Sequence, residues 1–156
     1  MTIQIDSREK PRAITEIVAH FDRAGVRHFV SKLPVGDYMS FDNPRLVIDR
    51  KQNLSELAGN VCQQHRRFVR EIEMAHELGI QLVILCEHGG RVGALSDVAQ
   101  WANPRLKVSP LAMSGERLYK VLATLSIKYG VVFAFCDKRA TGREIVRILG
   151  GEDHAS

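Results

Sequence analysis

The chain has 156 residues, of which 45% are hydrophobic and 26% charged, and its formal net charge is +4 with a pI near 9.1. This length suits one domain with a substantial core, and this composition excludes an intrinsically disordered chain. No window approaches the roughly 18 apolar residues of a transmembrane helix, and the N-terminus lacks the apolar stretch of a signal peptide. Three cysteines are too few for a disulfide framework. We therefore expect a cytoplasmic protein with no membrane partner.

The first third of the chain predicts a strand, a helix and a β-hairpin. Ile3 and Ile5 alternate with polar residues, as in a strand, and apolar residues recur at helical spacing between Pro11 and Gly25. A short strand, a turn at residues 34–37 and a second strand follow. The "NPR" of residues 43–45 is a turn signal before the apolar run "LVIDRK". The hairpin formed by these last two strands would bring the acids of "GDY" and "IDRK" together.

The remaining two thirds predict helices alternating with buried strands. A helical region runs from about Leu54 to Gly79, and the apolar runs "IQLVILCE" and "VVFAFC" have the length of buried strands. "SDVAQWA" is a short helix with Ser96 as a candidate N-cap, and a longer helix ends at Gly130. The last helix has Thr141 as a candidate cap. The order β-α-β-β-β-α-β-α-α-β-α predicts an α/β fold with a mixed sheet between helices.

Acids and a lysine lie at the ends of predicted strands. Residues two apart on a strand face the same side, so Asp49 and Lys51 face one way and Arg50 the other. Asp37, on the neighbouring strand, would supply a second carboxylate beside Asp49. Two carboxylates suit a hard divalent cation, and an ammonium group suits the charge that develops on a phosphate. About one acid-x-Lys tripeptide arises by chance in such a chain. A structural salt-bridge cluster is therefore the alternative.

Three motifs in order resemble the nuclease domain of the XPF family of structure-specific DNA endonucleases. They are "IDSRE", "GDY" and "IDRK", and the third differs from the family's Glu-Arg-Lys in carrying aspartate. The resemblance covers roughly residues 1–90. It implies a restriction-endonuclease-like (PD-(D/E)xK) fold, with a mixed central sheet flanked by helices. We expect one nuclease domain over residues 1–150 and a disordered tail at residues 151–156.

The resemblance also implies roles for individual residues. Asp37 and Asp49 would be ligands of Mg²⁺ or Mn²⁺, helped by the backbone carbonyl of Arg50. Lys51 would be the catalytic lysine, and Asp6 would complete the acidic cluster. The candidate DNA-binding residues are Arg8, Arg50, Arg66, Arg67 and Arg70. The candidate supporting residues are Glu9, Tyr38 and Glu56.

Some of these residues have a structural interpretation as well. Arg50 could form a structural salt bridge, Tyr38 could pack in the hairpin, and the arginines at 66, 67 and 70 could form a solvated helix face. The glycine-rich "EHGGRVG" lacks the Gly-Lys-Ser/Thr ending of a phosphate-binding loop, so no nucleotide cofactor is expected.

The expected activity is metal-dependent cleavage of DNA, with branched DNA (a fork, a flap or a four-way junction) as substrate. The alternative is a non-catalytic DNA-binding module that retains the nuclease fold. Cellular members of the family carry a tandem helix-hairpin-helix module, and the compact form here resembles the short versions of bacteriophages and prophages. The family's pairing through its later helices implies a homodimer, for which the apolar face of the helix before Gly130 is the candidate contact. That face consists of Leu118, Val121, Leu122 and Leu125.

Overall fold

A mixed six-stranded sheet forms the centre of the protein, as the α/β prediction requires. The computed structural model describes residues 1–151, so the predicted tail, apart from Gly151, lies outside the described residues. The strand order across the sheet is β2-β1-β3-β4-β5-β6. The strands are β1 (Thr2–Ile5), β2 (Arg27–Val30), β3 (Tyr38–Ser40), β4 (Asn43–Lys51), β5 (Gln81–Glu87) and β6 (Val132–Cys136).

Only β3 runs against the other five strands. It pairs antiparallel with both β1 and β4, whereas β1 pairs parallel with β2, and β4, β5 and β6 pair parallel with one another. The carboxyl ends of five strands therefore meet the amino end of β3 at one edge of the sheet. Three of the acids singled out in the sequence lie at this edge: Asp6 directly follows β1, Asp37 directly precedes β3, and Asp49 is two residues from the end of β4.

Helices cover both faces of the sheet and enclose two apolar cores. The helices are α1 (Thr15–Arg23), α2 (Leu54–Cys62), α3 (His65–Glu77), α4 (Gly115–Tyr129) and α5 (Thr141–Leu149). One core packs α1 and α5 against the sheet around Phe21, Tyr38, Ile48 and Ile145. The other packs α2, α3 and α4 over β4, β5 and β6 and includes the fully buried Leu57. No helix between residues 1 and 151 is both long and apolar enough to cross a membrane.

The helical region expected between Leu54 and Gly79 is two helices rather than one. The backbone N–H groups of Gln63 and Gln64 both donate to the carbonyl of Gly59, at 2.8 and 3.2 Å, which ends α2 and lets the chain turn before α3. Neither glutamine is a helix breaker by propensity. The interruption therefore left no local signal in the sequence.

Three local expectations differ from the structure. The "SDVAQWA" segment is a 3-10 helix, and its first turn is held by the Asp97 carboxylate, which accepts from the backbone of Gly93 and Ala94, rather than by Ser96. Thr141 is the first residue of α5 instead of its cap. The turn expected at residues 43–45 is already part of β4, where a register shift opposite Met39 and Ser40 absorbs the extra residues as a bulge. Shorter 3-10 turns occupy Pro11–Ile14, Pro104–Lys107 and Lys138–Ala140.

Candidate active site

Asp37 is held in place by hydrogen bonds to two neighbouring strands. Its backbone N–H donates to the carbonyl of Ile48 at 2.8 Å, and its own carbonyl accepts from the N–H of Asp6 at 2.8 Å. Its Oδ2 also accepts from the backbone N–H of Arg50 at 2.8 Å. The carboxylate is therefore positioned by the sheet itself and not by a loop.

Gly36 allows Asp37 to reach this position. Its φ of +73° lies in the left-handed region, which a residue with a side chain occupies only at a cost. A Cβ at this position would lie 2.4 Å from Cγ1 of Val47 and 3.1 Å from the carbonyl oxygen of Ile48. Gly36 is therefore required both for the turn before β3 and for the close approach to β4.

Asp37, Asp49 and Lys51 meet at the carboxyl end of β4, as the hairpin interpretation predicts. The carboxyl groups of Asp37 and Asp49 lie within hydrogen-bonding distance, and burial together with the charge of Asp49 raises the pKa of Asp37 to about 9. The Lys51 ammonium lies 3.3 Å from Asp49 Oδ2 and over the ring of Phe68, 5.7 Å from its centroid. Burial opposes the charge of Lys51, but the carboxylates of Asp49 and Glu56 outweigh it and raise the lysine's pKa.

The donor groups at this position fit a small divalent cation. Within residues 1–151, no three side chains of His, Cys, Asp or Glu form a metal cluster, so side chains alone provide two carboxylates. Carbonyls of alternate residues in a strand point the same way, so the Arg50 carbonyl points, like that of Ile48, toward the side where Asp37 lies. Mg²⁺ is commonly bound by one or two carboxylates with water and substrate phosphate completing its shell. The residues present therefore fit Mg²⁺ or Mn²⁺ better than a cation that needs a full cage of protein ligands.

A cleft of about 210 Å³ opens over these groups. A second cavity of about 200 Å³ shares Lys51, Glu56, Arg67 and Glu71 with it, so the two form one continuous groove beside α3. Glu56 is also tied to the backbone, because its carboxylate accepts from the N–H of Gln52 at 2.9 Å. Besides Asp37, Asp49 and Lys51, the cleft is lined by Arg8, Glu9, Pro34, Val35, Gly36, Arg50, Glu56, Arg67 and Glu71.

Arg50 differs from its expected role as a DNA contact. Its side chain is only 5% exposed and lies between two carboxylates that are themselves buried. Its Nε and Nη2 donate to the two oxygens of Glu9 at 2.8 and 3.2 Å, and its Nη1 donates to Glu87. Tyr38, fully buried, donates its hydroxyl to the same Glu9 at 2.6 Å. This geometry favours the structural salt bridge for Arg50 and hairpin packing for Tyr38.

Asp6 is near the acidic pair but does not line the cleft with it. Its Oδ1 accepts from the backbone of Leu33 at 2.7 Å, and its Oδ2 accepts from both the backbone and the Nε of Arg8. Burial favours the neutral acid, but these hydrogen bonds outweigh it and lower the pKa of Asp6. With both oxygens engaged, Asp6 positions the loop after β1 rather than a metal. Arg8, whose side chain is half exposed, reaches the cleft from that loop.

The three arginines of α3 are exposed along one side of the groove. Arg67 lines the cleft, and its Nε lies 3.8 Å from Glu71 in a weak surface pair. Arg66 and Arg70 extend the positive surface away from the cleft, and the neutral Gln63 and Gln64 lie beside them. Of the three arginines expected to bind DNA, the structure brings Arg67 to the cleft, and a role for all three in DNA binding stays a prediction. No role was predicted for Glu87, the buried partner of Arg50, although an acid that ends the apolar run "LVILCE" is the same signal that identified Asp49.

Comparisons with known proteins match the chain over nearly its whole length. The model of the ERCC4 domain family matches residues 5–148. The structure of XPF from Aeropyrum pernix superimposes with a TM-score of 0.68 at 18% identity, covering 98% of this chain and 65% of that one. XPF from Aeropyrum pernix in complex with DNA gives 0.67 at 19% identity, covering 99% and 66%.

The chain thus spans about two thirds of the length of these solved proteins, and at this identity the likeness establishes the restriction-endonuclease-like fold. No curated protein matches at a significant level. Since the family model covers residues 5–148, the protein belongs to the ERCC4 domain family, and the XPF-type resemblance carried by its three motifs is confirmed.

Proposed function

We propose that this protein is a metal-dependent DNA endonuclease that hydrolyses phosphodiester bonds in branched DNA. One observation carries the proposal. Asp37 and Asp49 are held within hydrogen-bonding distance of each other, with Lys51 3.3 Å from Asp49, in a cleft bordered by arginines. Structural acids are neutralised by partners, as Asp6 and Glu9 are here, whereas Asp37 has only the backbone N–H of Arg50 and another carboxylate.

Five residues of the cleft have a part in the proposed reaction: Asp37, Asp49, Arg50, Lys51 and Arg67. Asp37, Asp49 and the carbonyl of Arg50 hold Mg²⁺ or Mn²⁺. A divalent cation bound there supplies Lewis-acid activation of the phosphate and of the attacking water. Lys51 contributes a positive charge where the phosphate would lie, which stabilises the charge that builds up during attack. Arg67, with Arg66 and Arg70 beside it, contacts the phosphates of the flanking DNA.

Branched DNA is the proposed substrate class, and a homodimer the proposed assembly. The XPF structure solved with DNA supports DNA as the ligand of this fold. The dimer contact expected from the sequence is wrong, because three of its residues are buried in the core on the inner side of α4: Leu118, Leu122 and Leu125. A dimer through α4 would instead use its outer side, where Ile127 is exposed. Light scattering at micromolar concentration tests this, and a monomer would contradict it.

The proposed setting is the cytoplasm, which would be that of the host cell if the protein is encoded by a bacteriophage. All three cysteines are free thiols, and no pair of them is bridged. Free thiols are the usual state of cysteines in a reducing compartment. Fractionation of cells that express the protein would test the location.

A cleavage assay tests the activity. End-labelled linear, forked and four-way-junction DNA would be incubated with Mg²⁺, Mn²⁺ or EDTA. Asp37→Asn and Lys51→Ala should each lower the rate at least ~100-fold, since loss of a mere outer partner of a metal ligand already costs 10–100-fold. Asp22→Asn on α1 and Lys120→Ala on α4 are matched controls, because both side chains are exposed and lie on helices away from the cleft. Cleavage that survives in EDTA, or in Asp37→Asn, would contradict the proposal.

Metal binding gives a readout independent of cleavage. At about 100 times Kd, a ligand that binds only the folded state stabilises it by ~2.7 kcal/mol. For a domain of this size that corresponds to a rise in Tm of roughly 5–10 °C. Mn²⁺ should produce this rise in the wild type and not in Asp37→Asn. If the wild type binds junctions but neither cuts DNA nor responds to metal, the non-catalytic DNA-binding module becomes the better interpretation.

A further inference from the structure

Part of one sheet face lies outside the cover of the helices. On the face that carries the cleft, α2 packs on β4 and β5, α3 on β5 and α4 on β6. Gln4 of β1 pairs with Phe29 of β2 and with Met39 of β3, so these three side chains point to one face. Met39 packs at the margin of the core under those helices, which identifies the face as theirs. The part of this face that the helices cover ends at Met39 of β3, and β1 and β2 lie beyond it.

An exposed aromatic pair occupies this uncovered area. The rings of Phe29 and Phe41 lie 5.2 Å apart at 56° to each other, and the residues are 37% and 55% exposed. Phe41 is held by its backbone, whose N–H donates to the carbonyl of Thr2 at 3.0 Å. Two exposed phenylalanines in contact form a small apolar patch that offers two ring faces to a ligand.

The aromatic pair and the catalytic acids lie on the same face. Met39 pairs with Val47, so Asp37 and Asp49, each two residues beyond that pair, share its orientation. The distance along β3 from Asp37 to Phe41 is about 13 Å, from four residues at ~3.3 Å each. At a rise of ~3.4 Å per stacked nucleotide, this distance corresponds to about four nucleotides. A strand cut at the cleft would therefore reach the aromatic pair within a few nucleotides.

The charge around the pair favours nucleic acid over a second protein. Arg27 lies two residues before Phe29 on β2, on the same face, and its side chain is exposed. Arg45 is also exposed, and it lies on β4, the neighbour of β3 on the side away from β1 and β2. Arginine beside stacking aromatics is the combination by which proteins bind single strands, since bases stack on the rings and phosphates pair with the cations. Duplex DNA keeps its base faces stacked on one another, so only unpaired bases could use this surface.

We propose that Phe29 and Phe41, with Arg27, form a stacking platform for the unpaired bases of a single-stranded DNA arm leaving the cleft. The proposal rests on the nuclease function proposed above. It assigns the pair a part in selecting branched DNA, because a fork or flap offers a single strand next to the duplex that is cut and a linear duplex does not.

Binding measurements in EDTA test the platform without cleavage. Fluorescence anisotropy would give Kd for a labelled single-stranded oligothymidine and for a blunt duplex. Phe29→Ala/Phe41→Ala should weaken single-strand binding ~10-fold or more, since each lost aromatic removes one base stack. Blunt-duplex binding should change less than about twofold, because a duplex presents no unpaired base to stack. Phe29→Tyr/Phe41→Tyr should retain the wild-type affinity, and Val108→Ala, an exposed apolar residue elsewhere, is the matched control.

The possible outcomes separate the platform from the nuclease. If the wild type cuts branched DNA with Mg²⁺ but single-strand Kd is the same in the double alanine variant, the platform is wrong and the nuclease proposal stands. A wild type that neither binds nor cuts DNA overturns both. A dimer in the wild type that dissociates in the double alanine variant, by light scattering, assigns the patch to a second copy and overturns the platform. If that variant fails to fold, cross-linking of 5-iodouracil-substituted oligonucleotide to the wild type decides: cross-links at Phe29 or Phe41 support the platform, and cross-links only elsewhere refute it.

Discussion

Replacing Arg50 with methionine would separate a structural role for this residue from a DNA contact. Its guanidinium is bound by Glu9 through two hydrogen bonds and by Glu87 through another, and all three side chains are at most 10% exposed. Methionine is unbranched and replaces the aliphatic part of the side chain, but it removes the guanidinium with its positive charge and its donors. Two buried carboxylates would then share a region of low polarity with one remaining donor, the hydroxyl of Tyr38.

The expected loss of stability is large. Removing one member of a buried ion pair and leaving its partner charged costs about 3–5 kcal/mol. For a domain of this length, that loss corresponds to a fall in Tm of roughly 6–20 °C. Urea unfolding followed by circular dichroism would measure the free energy at fixed pH near 7, with the m-value checked against that of the wild type.

A triple variant in which the buried charges of the network are removed is the control. Glu9→Gln/Arg50→Met/Glu87→Gln removes the uncompensated charges and should recover most of the lost free energy. A loss below ~1 kcal/mol in Arg50→Met would refute the buried network, since exposed pairs contribute no more than that. A loss of DNA affinity in Arg50→Met without any loss of stability would instead support the DNA contact inferred from the sequence.

Three further predictions follow from single positions. Gly36→Ala should lower the free energy of unfolding, measured in urea, by about 2–4 kcal/mol, because alanine is strained at a left-handed φ and its Cβ would clash with β4. It should also reduce cleavage in the junction assay ~100-fold, because the clash displaces the neighbouring Asp37 carboxylate. Arg67→Ala should leave stability within ~0.5 kcal/mol of the wild type and lower the salt dependence of duplex binding by about one phosphate contact, measured as the slope of log K against log salt. Iodoacetamide at pH 8 should alkylate the exposed Cys62 first, because burial raises the pKa of Cys86 to about 12 and that of Cys136 to about 11. Peptide mapping of the folded protein would measure the order, and modification of Cys86 first would contradict the prediction.

Features set by neighbouring residues were predictable from the sequence. The apolar runs identified the strands, and a turn followed by two short strands placed Asp37 opposite Asp49. A side-chain period of two then put Lys51 beside Asp49. The proximity of Asp37, Asp49 and Lys51 could be predicted because it depends only on β3 and β4, two strands that follow one another along the chain.

Features that depend on distant residues were not predictable. Arg50 meets Glu9 and Glu87, which are 41 and 37 residues away along the chain, and no periodicity connects these positions. The hydrogen bond that occupies Oδ1 of Asp6 comes from Leu33, 27 residues away. From its neighbours in the sequence, Asp6 therefore resembles a metal ligand. Only the tertiary arrangement shows that both of its oxygens already accept hydrogen bonds.

The attachment of Asp37 to its neighbours has a consequence for how the protein could be controlled. Its N–H, its carbonyl and its carboxylate are hydrogen-bonded to Ile48 and Arg50 of β4 and to Asp6, which directly follows β1. Exposing these groups to solvent requires opening the sheet, so amide hydrogen exchange at Asp37 and Arg50 should proceed only through global unfolding. A regulator of the proposed nuclease could therefore not switch its reaction off by loosening the proposed metal ligands at low energetic cost. Control of such a rigid centre would act on the arrival and departure of the nucleic acid, at the exposed arginines and aromatics around it.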